Sequence, residues 1–333
     1  MDIAMWRKAL TVIPRVEKEE WNHLDVISKW LISTRSAVLV ITFIPAVIAG
    51  ILAYRAGGFD LGLWLVMTVG LLMAHATNNL LNDLTDYLKG VDKGNYFRAQ
   101  YGPQPLEHGL MSTRQLLAYA AVTGLIAVAA GAYLVYARGG YTLLLMGLGA
   151  FFVLFYTYPL KYIGAGEIAV LVVWGPLMIG GGYYVLTGEW SWNVVLVSLP
   201  YALGATTVIF GKHIDKLAAD AGKKIRTLPV LLGPRLSRYT AIGMMVLQYV
   251  LALYLVLTGY FTVVLLVVLL ALKQFAMVAG VFAQPRPDGP PAEYPEDAWP
   301  LWFVSFAFYH NRTFGGLYLL GIILDVVLQR VIL

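Results

Sequence analysis

The chain has 333 residues, of which 59% are hydrophobic and only 13% charged, with a mean hydropathy of +0.70. Soluble domains carry about 25% charged residues, so this chain has too little polar surface to cover a globule. It has no cysteine and a modest net charge of +5, which excludes disulfides and thiolate sites, and no nucleic-acid partner is expected.

Residues 1–30 mix Trp6, Arg7, Lys8, Arg15 and Lys29 with Glu17, Glu19, Glu20 and scattered apolar positions. No apolar h-region or small-residue cleavage site follows, so the segment reads as an amphipathic helix on the membrane surface, not a signal peptide. A bilayer core takes roughly 20 apolar residues per helix, and about nine stretches qualify. They lie near 33–54, 61–82, 115–136, 141–158, 165–187, 192–213, 239–258, 260–283 and 313–331. The expected fold is therefore an all-α polytopic membrane protein. Residues 31–333 form a single transmembrane domain, its helices ringing a central cavity that opens to the cytoplasmic side. The apolar stretch Trp299 to Phe308 is too short to span and is expected to pack at an interface. The Pro-rich segment 284–300 is expected to be an exposed loop.

With the N-terminus in the cytoplasm, the loops after spans 2, 4, 6 and 8 share its side. Those loops and the N-terminal segment hold about 19 of the 24 Lys and Arg, and the opposite side holds Arg55, Arg138 and Arg330. This obeys the positive-inside rule and predicts a multi-pass protein of the cell membrane with a cytoplasmic N-terminus.

Two cytoplasmic segments carry the chemistry. The first follows span 2. On a helix, Asn79, Asp83 and Asp86 stand at i, i+4 and i+7, and Asn82 and Asp86 at i and i+4. One face then presents several oxygen ligands at the end of a span. Ionisable groups at membrane depth are costly and mark functional paths, and clustered carboxylates repel unless a cation lies among them. Mg2+ suits such a site, because it takes a few carboxylates and completes its shell with water and phosphate oxygens. The bland alternative is a solvated helix end.

The second segment joins Asp215 and Asp220 to Lys212, His213, Lys223, Lys224 and Arg226. Acids beside cations suit a metal–diphosphate better than a bare metal. Asp83, Asp86, Asp215 and Asp220 would then hold about two Mg2+ ions on a diphosphate. The C–O bond ionises towards an allylic cation, stabilised by the neutralised leaving group and by exclusion of water. An ordinary basic juxtamembrane loop explains the lysines but not Asp215 at the end of an apolar span. His213 is either a general base for the acceptor hydroxyl, an orienter of a carboxylate, or a structural residue. Glu167 either caps span 5 or binds the acceptor. Gly180 to Gly182 give close helix approach or room for a lipid tail.

These residues resemble the UbiA superfamily of intramembrane prenyltransferases over nearly the whole chain. Asn82-Asp83-Leu84-Thr85-Asp86 resembles the first Asp-rich motif of that family, with Asp92 as its downstream acid. Asp215 and Asp220, then Gly222-Lys223 and Thr227-Leu228-Pro229-Val230, resemble the second. Here the two acids stand five apart, with Ala219 at the usual place of the second acid. The resemblance implies Mg2+-dependent transfer of a polyprenyl group from its diphosphate to an aromatic acceptor within the bilayer. Asn79, Asn82, Asp83, Asp86, Asp92, Asp215 and Asp220 are then the metal ligands, and Arg98, Lys161, Lys223 and Arg226 touch the diphosphate. The segments 79–92, 161–167 and 174–184 are most similar to the branch that uses 1,4-dihydroxy-2-naphthoate on the route to menaquinone. Other readings are a different acceptor such as 4-hydroxybenzoate, a terpene cyclase using the same ionisation, and a cation-coupled transporter.

Overall fold

The computed structural model describes residues 1–91, 93, 102–295 and 299–331. It is all-helical, with no strand among the described residues. It separates into two compact units, one of Met1–Phe43 with Leu65–Pro159 and one of Ile44–Trp64 with Leu160–Leu333. Among the described residues, eight helices are long and apolar enough to cross a membrane, and a further apolar helix, Thr142–Phe155, is shorter at 14 residues.

In the first unit, three short helices replace the single N-terminal helix expected: α1 (Ile3–Thr11), α2 (Lys18–His23) and α3 (Val26–Ser33). Pro14 lies in the break after α1, where its ring and missing N–H oppose a continuing helix. Asp2 caps α1 by accepting the Met5 N–H at 2.8 Å, and Asp25 caps α3 by accepting the Ser28 N–H at 2.9 Å. Asp25 also takes the Asp2 N–H at 2.7 Å and the Trp6 Nε1–H at 3.1 Å. The Ser28 amide, above all, holds its carboxyl well below the usual carboxylate range. Trp21, Leu31 and Ile32 from these helices join Leu110 and Met111 in one buried cluster.

The helices α4 (Val40–Arg55) and α5 (Leu61–Leu88) follow, then α6 (Thr113–Arg138) and α7 (Thr142–Phe155). A capping box of Ser112 and Gln115 starts α6. Its inner side sets Leu116 and Ala120 against Leu80 of α5, and Thr77 Oγ1 donates to Thr123 Oγ1 at 2.7 Å. Its outer side leaves Leu117, Val122, Leu125 and Val128 exposed. Only 17% of its apolar stretch is buried, so lipid is the solvent that suits it.

The second unit is built around α10. One span comprises α8 (Gly166–Val172), an eight-residue π-helical stretch, Val173–Gly180, and α9 (Gly181–Thr187). The most buried span, α10 (Trp192–Asp215), lies against that π stretch. After it come α11 (Leu217–Gly222), α12 (Leu228–Leu257), a 3-10 stretch, Val263–Ala271, continuing as α13 (Leu272–Ala283), and α14 (Trp302–Val331). In lipid there is little hydrophobic drive between helices, so close packing of small residues does the work. A Cβ at Gly175 would stand 2.9 Å from Ala202 Cβ and 3.0 Å from Ser198 Oγ.

Two expectations are corrected here. The span expected at 239–258 starts earlier, after a break at Gly233 (φ 77°, ψ 169°) that separates it from a short helical turn beginning at Leu228, both within α12. The short stretch Trp299 to Phe308 and the span at 313–331 are largely one continuous helix, α14. His310, Asn311 and Arg312 read as an interruption in sequence, but the bundle absorbs the first two. His310 Nε2 meets the Tyr249 hydroxyl at 3.0 Å, and Asn311 is buried against Gly204.

Candidate active site

The first acid group lies near the end of α5. Asp83 and Asp86 are 2% and 6% exposed, and the Gly90 turn (φ 66°) follows directly, with the Val91 N–H returning to Asp86 O at 2.8 Å. Arg35, just beyond α3, forms an ion pair with Asp83. Its backbone is left-handed (φ 55°, ψ 51°), an uncommon conformation for a non-Gly residue that tends to persist where the surroundings need it.

Three asparagines share this end of α5, and each has its amide nitrogen tied back. Asn78 Nδ2 donates to Val153 O at 2.9 Å, Asn79 Nδ2 to Thr34 O at 2.9 Å, and Asn82 Nδ2 to Thr157 Oγ1 at 3.0 Å. Once the NH2 group is committed, the side chain's other face is the carbonyl oxygen. Asn79, Asn82, Asp83 and Asp86 thus offer oxygen donors, the kind a hard divalent cation takes, with Arg35 sharing one oxygen of Asp83. The residues present fit magnesium. Asp92 and Arg98, also expected here, lie outside the described residues. His75, deeper in α5, packs with its Nδ1 2.8 Å from Thr42 Oγ1.

The second group is organised differently. The five-residue spacing of Asp215 and Asp220 is accommodated by a helix break, since α10 ends at Asp215 and α11 starts at Leu217. Asp220 is buried, and its Oδ1 lies 3.2 Å from Lys216 Nζ. Asp215 Oδ1 and Oδ2 accept the N–H groups of Phe303 and Val304, each at 3.0 Å. His213 places Nδ1 2.5 Å from Glu167 Oε1, so the carboxylate it meets is that of Glu167. Glu167 Oε2 accepts the Leu228 N–H at 3.2 Å, so this carboxylate joins the starts of α8 and α12 to the end of α10. Lys161 is buried, with Nζ 5.9 Å from the Tyr162 ring centre, while Lys223 and Arg226 are exposed. Among the described residues, no three His, Cys, Asp or Glu side chains converge as a ready metal cage.

Sequence reasoning missed Arg35, which looks like one more cation obeying the positive-inside rule at the edge of a span. It also missed Gly211, whose absent side chain admits the backbone of α14: a Cβ there would lie 2.8 Å from Phe303 C and O. Gly180 is now assigned to close packing, because its Cβ would stand 3.1 Å from Val195 Cγ2.

Comparison with known proteins shows the family and the fold. UbiA prenyltransferase domain-containing protein 1 of Danio rerio is 26% identical over 223 residues, 64% of this chain and 65% of that protein. The 1,4-dihydroxy-2-naphthoate octaprenyltransferase of Escherichia coli is 30% identical over 217 residues, 61% of this chain and 68% of that protein. The chain thus spans about two thirds of the length of the curated relatives it matches. Among solved structures, a UbiA homologue from Archaeoglobus fulgidus bound to GPP and Mg2+ has the same fold. Its TM-score is 0.60 at 16% identity, over 88% of this chain and 99% of that one. The UbiA prenyltransferase family matches residues 42–306, most of the chain and both acid groups among them, and the chain belongs to that family.

Proposed function

We propose that this protein transfers a polyprenyl group from its diphosphate to an aromatic ring within the membrane, with magnesium, and that the acceptor is 1,4-dihydroxy-2-naphthoate on the way to menaquinone. The observation that carries the reading is the α5 donor set. Three asparagine amides are tied back by nitrogen, and two buried carboxylates stand among them. Asn79, Asn82, Asp83 and Asp86 would hold the metal. Magnesium there would neutralise the charge that builds on the diphosphate as its C–O bond breaks.

The chain's own residues do the rest. Arg35 offsets the Asp83 charge in its buried setting. Lys161, Lys223 and Arg226 attract the diphosphate. His213, held through Nδ1 by Glu167, leaves Nε2 to take a proton from the acceptor hydroxyl. The naphthoate reading is supported by the Escherichia coli relative, and the magnesium reading by the ligands of the Archaeoglobus fulgidus protein.

The test is turnover by purified protein in lipid with Mg2+, geranylgeranyl diphosphate, and either 1,4-dihydroxy-2-naphthoate or 4-hydroxybenzoate, with products identified by mass. Prenylated naphthoate is expected, falling at least about 100-fold in Asp86→Ala. Prenylated hydroxybenzoate alone would overturn the acceptor. Diphosphate release with neither acceptor modified would replace transfer with cyclisation, and no turnover at all would overturn the enzyme reading.

A further inference from the structure

Asp215 and Gly211 stand one helical turn apart on α10, and both meet the first turn of α14. The first N–H groups of a helix have no partner inside it. At α14 two of them, from Phe303 and Val304, are taken by Asp215 Oδ1 and Oδ2, side-chain oxygens 88 and 89 positions away in the chain. The close approach that this needs is provided by Gly211. A Cβ there would lie 2.8 Å from Phe303 C and O and 2.9 Å from Val304 Cα, all backbone atoms that cannot turn aside. Arg286 Nη1 donates to Asp215 O at 3.2 Å, and its guanidinium lies 5.7 Å from the Trp299 ring centre.

This setting has the wrong sign for a cation. Two N–H dipoles point at the carboxylate, and the positive end of a 30-residue helix lies behind them. Asp215 is only 4% exposed. At α5 the three amide nitrogens are tied back and Arg35 takes one oxygen of Asp83, whereas here backbone N–H groups take both oxygens of the acid.

We propose that Asp215 is a positioning residue, a capping carboxylate that seats the start of α14 on α10 beside Gly211, and not an open magnesium ligand. The seat follows from geometry within one unit. Only the statement about magnesium rests on the prenyltransferase reading.

The experiment uses the full chain in lipid and compares wild type, Asp215→Asn, Asp215→Ala, Gly211→Ala and Asp86→Asn. Hydrogen exchange at the Phe303 and Val304 amides reads the seat. The Mg2+ concentration that half-saturates both turnover and the metal-induced rise in melting temperature reads the ligand set. In Asp215→Ala the two amides should exchange about tenfold faster, the worth of an N-cap. Asp215→Asn keeps one acceptor and should be intermediate, and Gly211→Ala should loosen the same amides with the carboxylate intact. The Mg2+ requirement should stay put in all three, while Asp86→Asn raises it by about 10- to 100-fold. If Asp215→Ala does not fold, Asp215→Asn and Gly211→Ala carry the test. A raised Mg2+ requirement in Asp215→Asn, with Phe303 and Val304 as protected as in wild type, would overturn the proposal. Absence of any magnesium effect in wild type would sink the prenyltransferase reading instead, and the exchange data would still decide the seat.

Discussion

Lys224 is held at φ 58°, where an L side chain crowds its own backbone. The reason is local. It follows the end of α11, and the Lys224 N–H returns to Ala221 O at 3.1 Å while the Ile225 N–H returns to Asp220 O at 2.9 Å. That pair of bonds is the Schellman pattern, whose left-handed position is usually glycine. Relief of strain worth about 1–2 kcal/mol, less glycine's entropic cost of about 0.5–1 kcal/mol, predicts that Lys224→Gly stabilises the protein by about 0.5–1 kcal/mol. A melting temperature in Lys224→Gly at or below wild type would refute that sum. Arg35 shares the left-handed conformation, but there the strain accompanies an ion pair to Asp83. Nothing in the neighbouring sequence announces that pair, because Arg35 and Asp83 are 48 residues apart and neither helix pattern records the meeting. The acids and amides of α5 were legible for the opposite reason. They repeat at helical spacing on a single element, so their shared face follows from the 3.6-residue turn alone.

At the level of elements, α14 is anchored a second time near its far end. Asp325 is fully buried; its Oδ1 accepts the Thr262 N–H at 2.6 Å, and its Oδ2 lies 3.9 Å from Arg55 Nη1. Arg55, at the end of α4, also donates to Tyr260 O at 2.6 Å and lies 4.8 Å from the Tyr260 ring centre. Three elements of the second unit therefore meet on one charge pair. Arg55 is partly exposed and the pair is long, so removing Asp325 chiefly leaves the buried Thr262 N–H unsatisfied, at a cost of about 1–3 kcal/mol. Asp325→Ala should lower thermal stability by that order. Asp325→Asn, which keeps an acceptor for the Thr262 amide, should fall less. Equal melting temperatures for Asp325→Ala and wild type would show that the pair contributes nothing. The sequence displayed most of these elements, because a run of apolar residues about 20 long has few meanings. It misplaced the start of α14, where His310 and Asn311 interrupt the apolar run. Polar residues inside a bundle and polar residues at its edge look alike until their partners are known. The π stretch around Pro176 was equally hidden, since no periodicity in an apolar run distinguishes it from an ordinary helix turn.

At the scale of the whole molecule, the path of the chain through the bilayer turns on α7. Its 14 residues reach about 21 Å at 1.5 Å per residue, short of a hydrocarbon core of about 30 Å. α10, with 24 residues, reaches about 36 Å and spans comfortably. The cation bias asks α7 to cross all the same: it puts Arg138 on one side and Lys161 on the other, with the N-terminus in the cytoplasm. Local thinning of the bilayer and interfacial anchors accommodate short spans at modest cost, and Tyr141 and Tyr158, both exposed, flank α7 as such anchors. Because the chain has no cysteine, single introduced cysteines report sidedness without background. Tyr141→Cys and Glu189→Cys should react with an impermeant thiol reagent only from the outer face, and Ile163→Cys and Lys224→Cys only from the cytoplasmic face. If Tyr141→Cys and Ile163→Cys label from the same face, α7 dips in and returns without crossing. In that case the loops at 189 and 224 exchange faces, and the side bearing Lys212, Lys223 and Arg226 is no longer the side of the N-terminus.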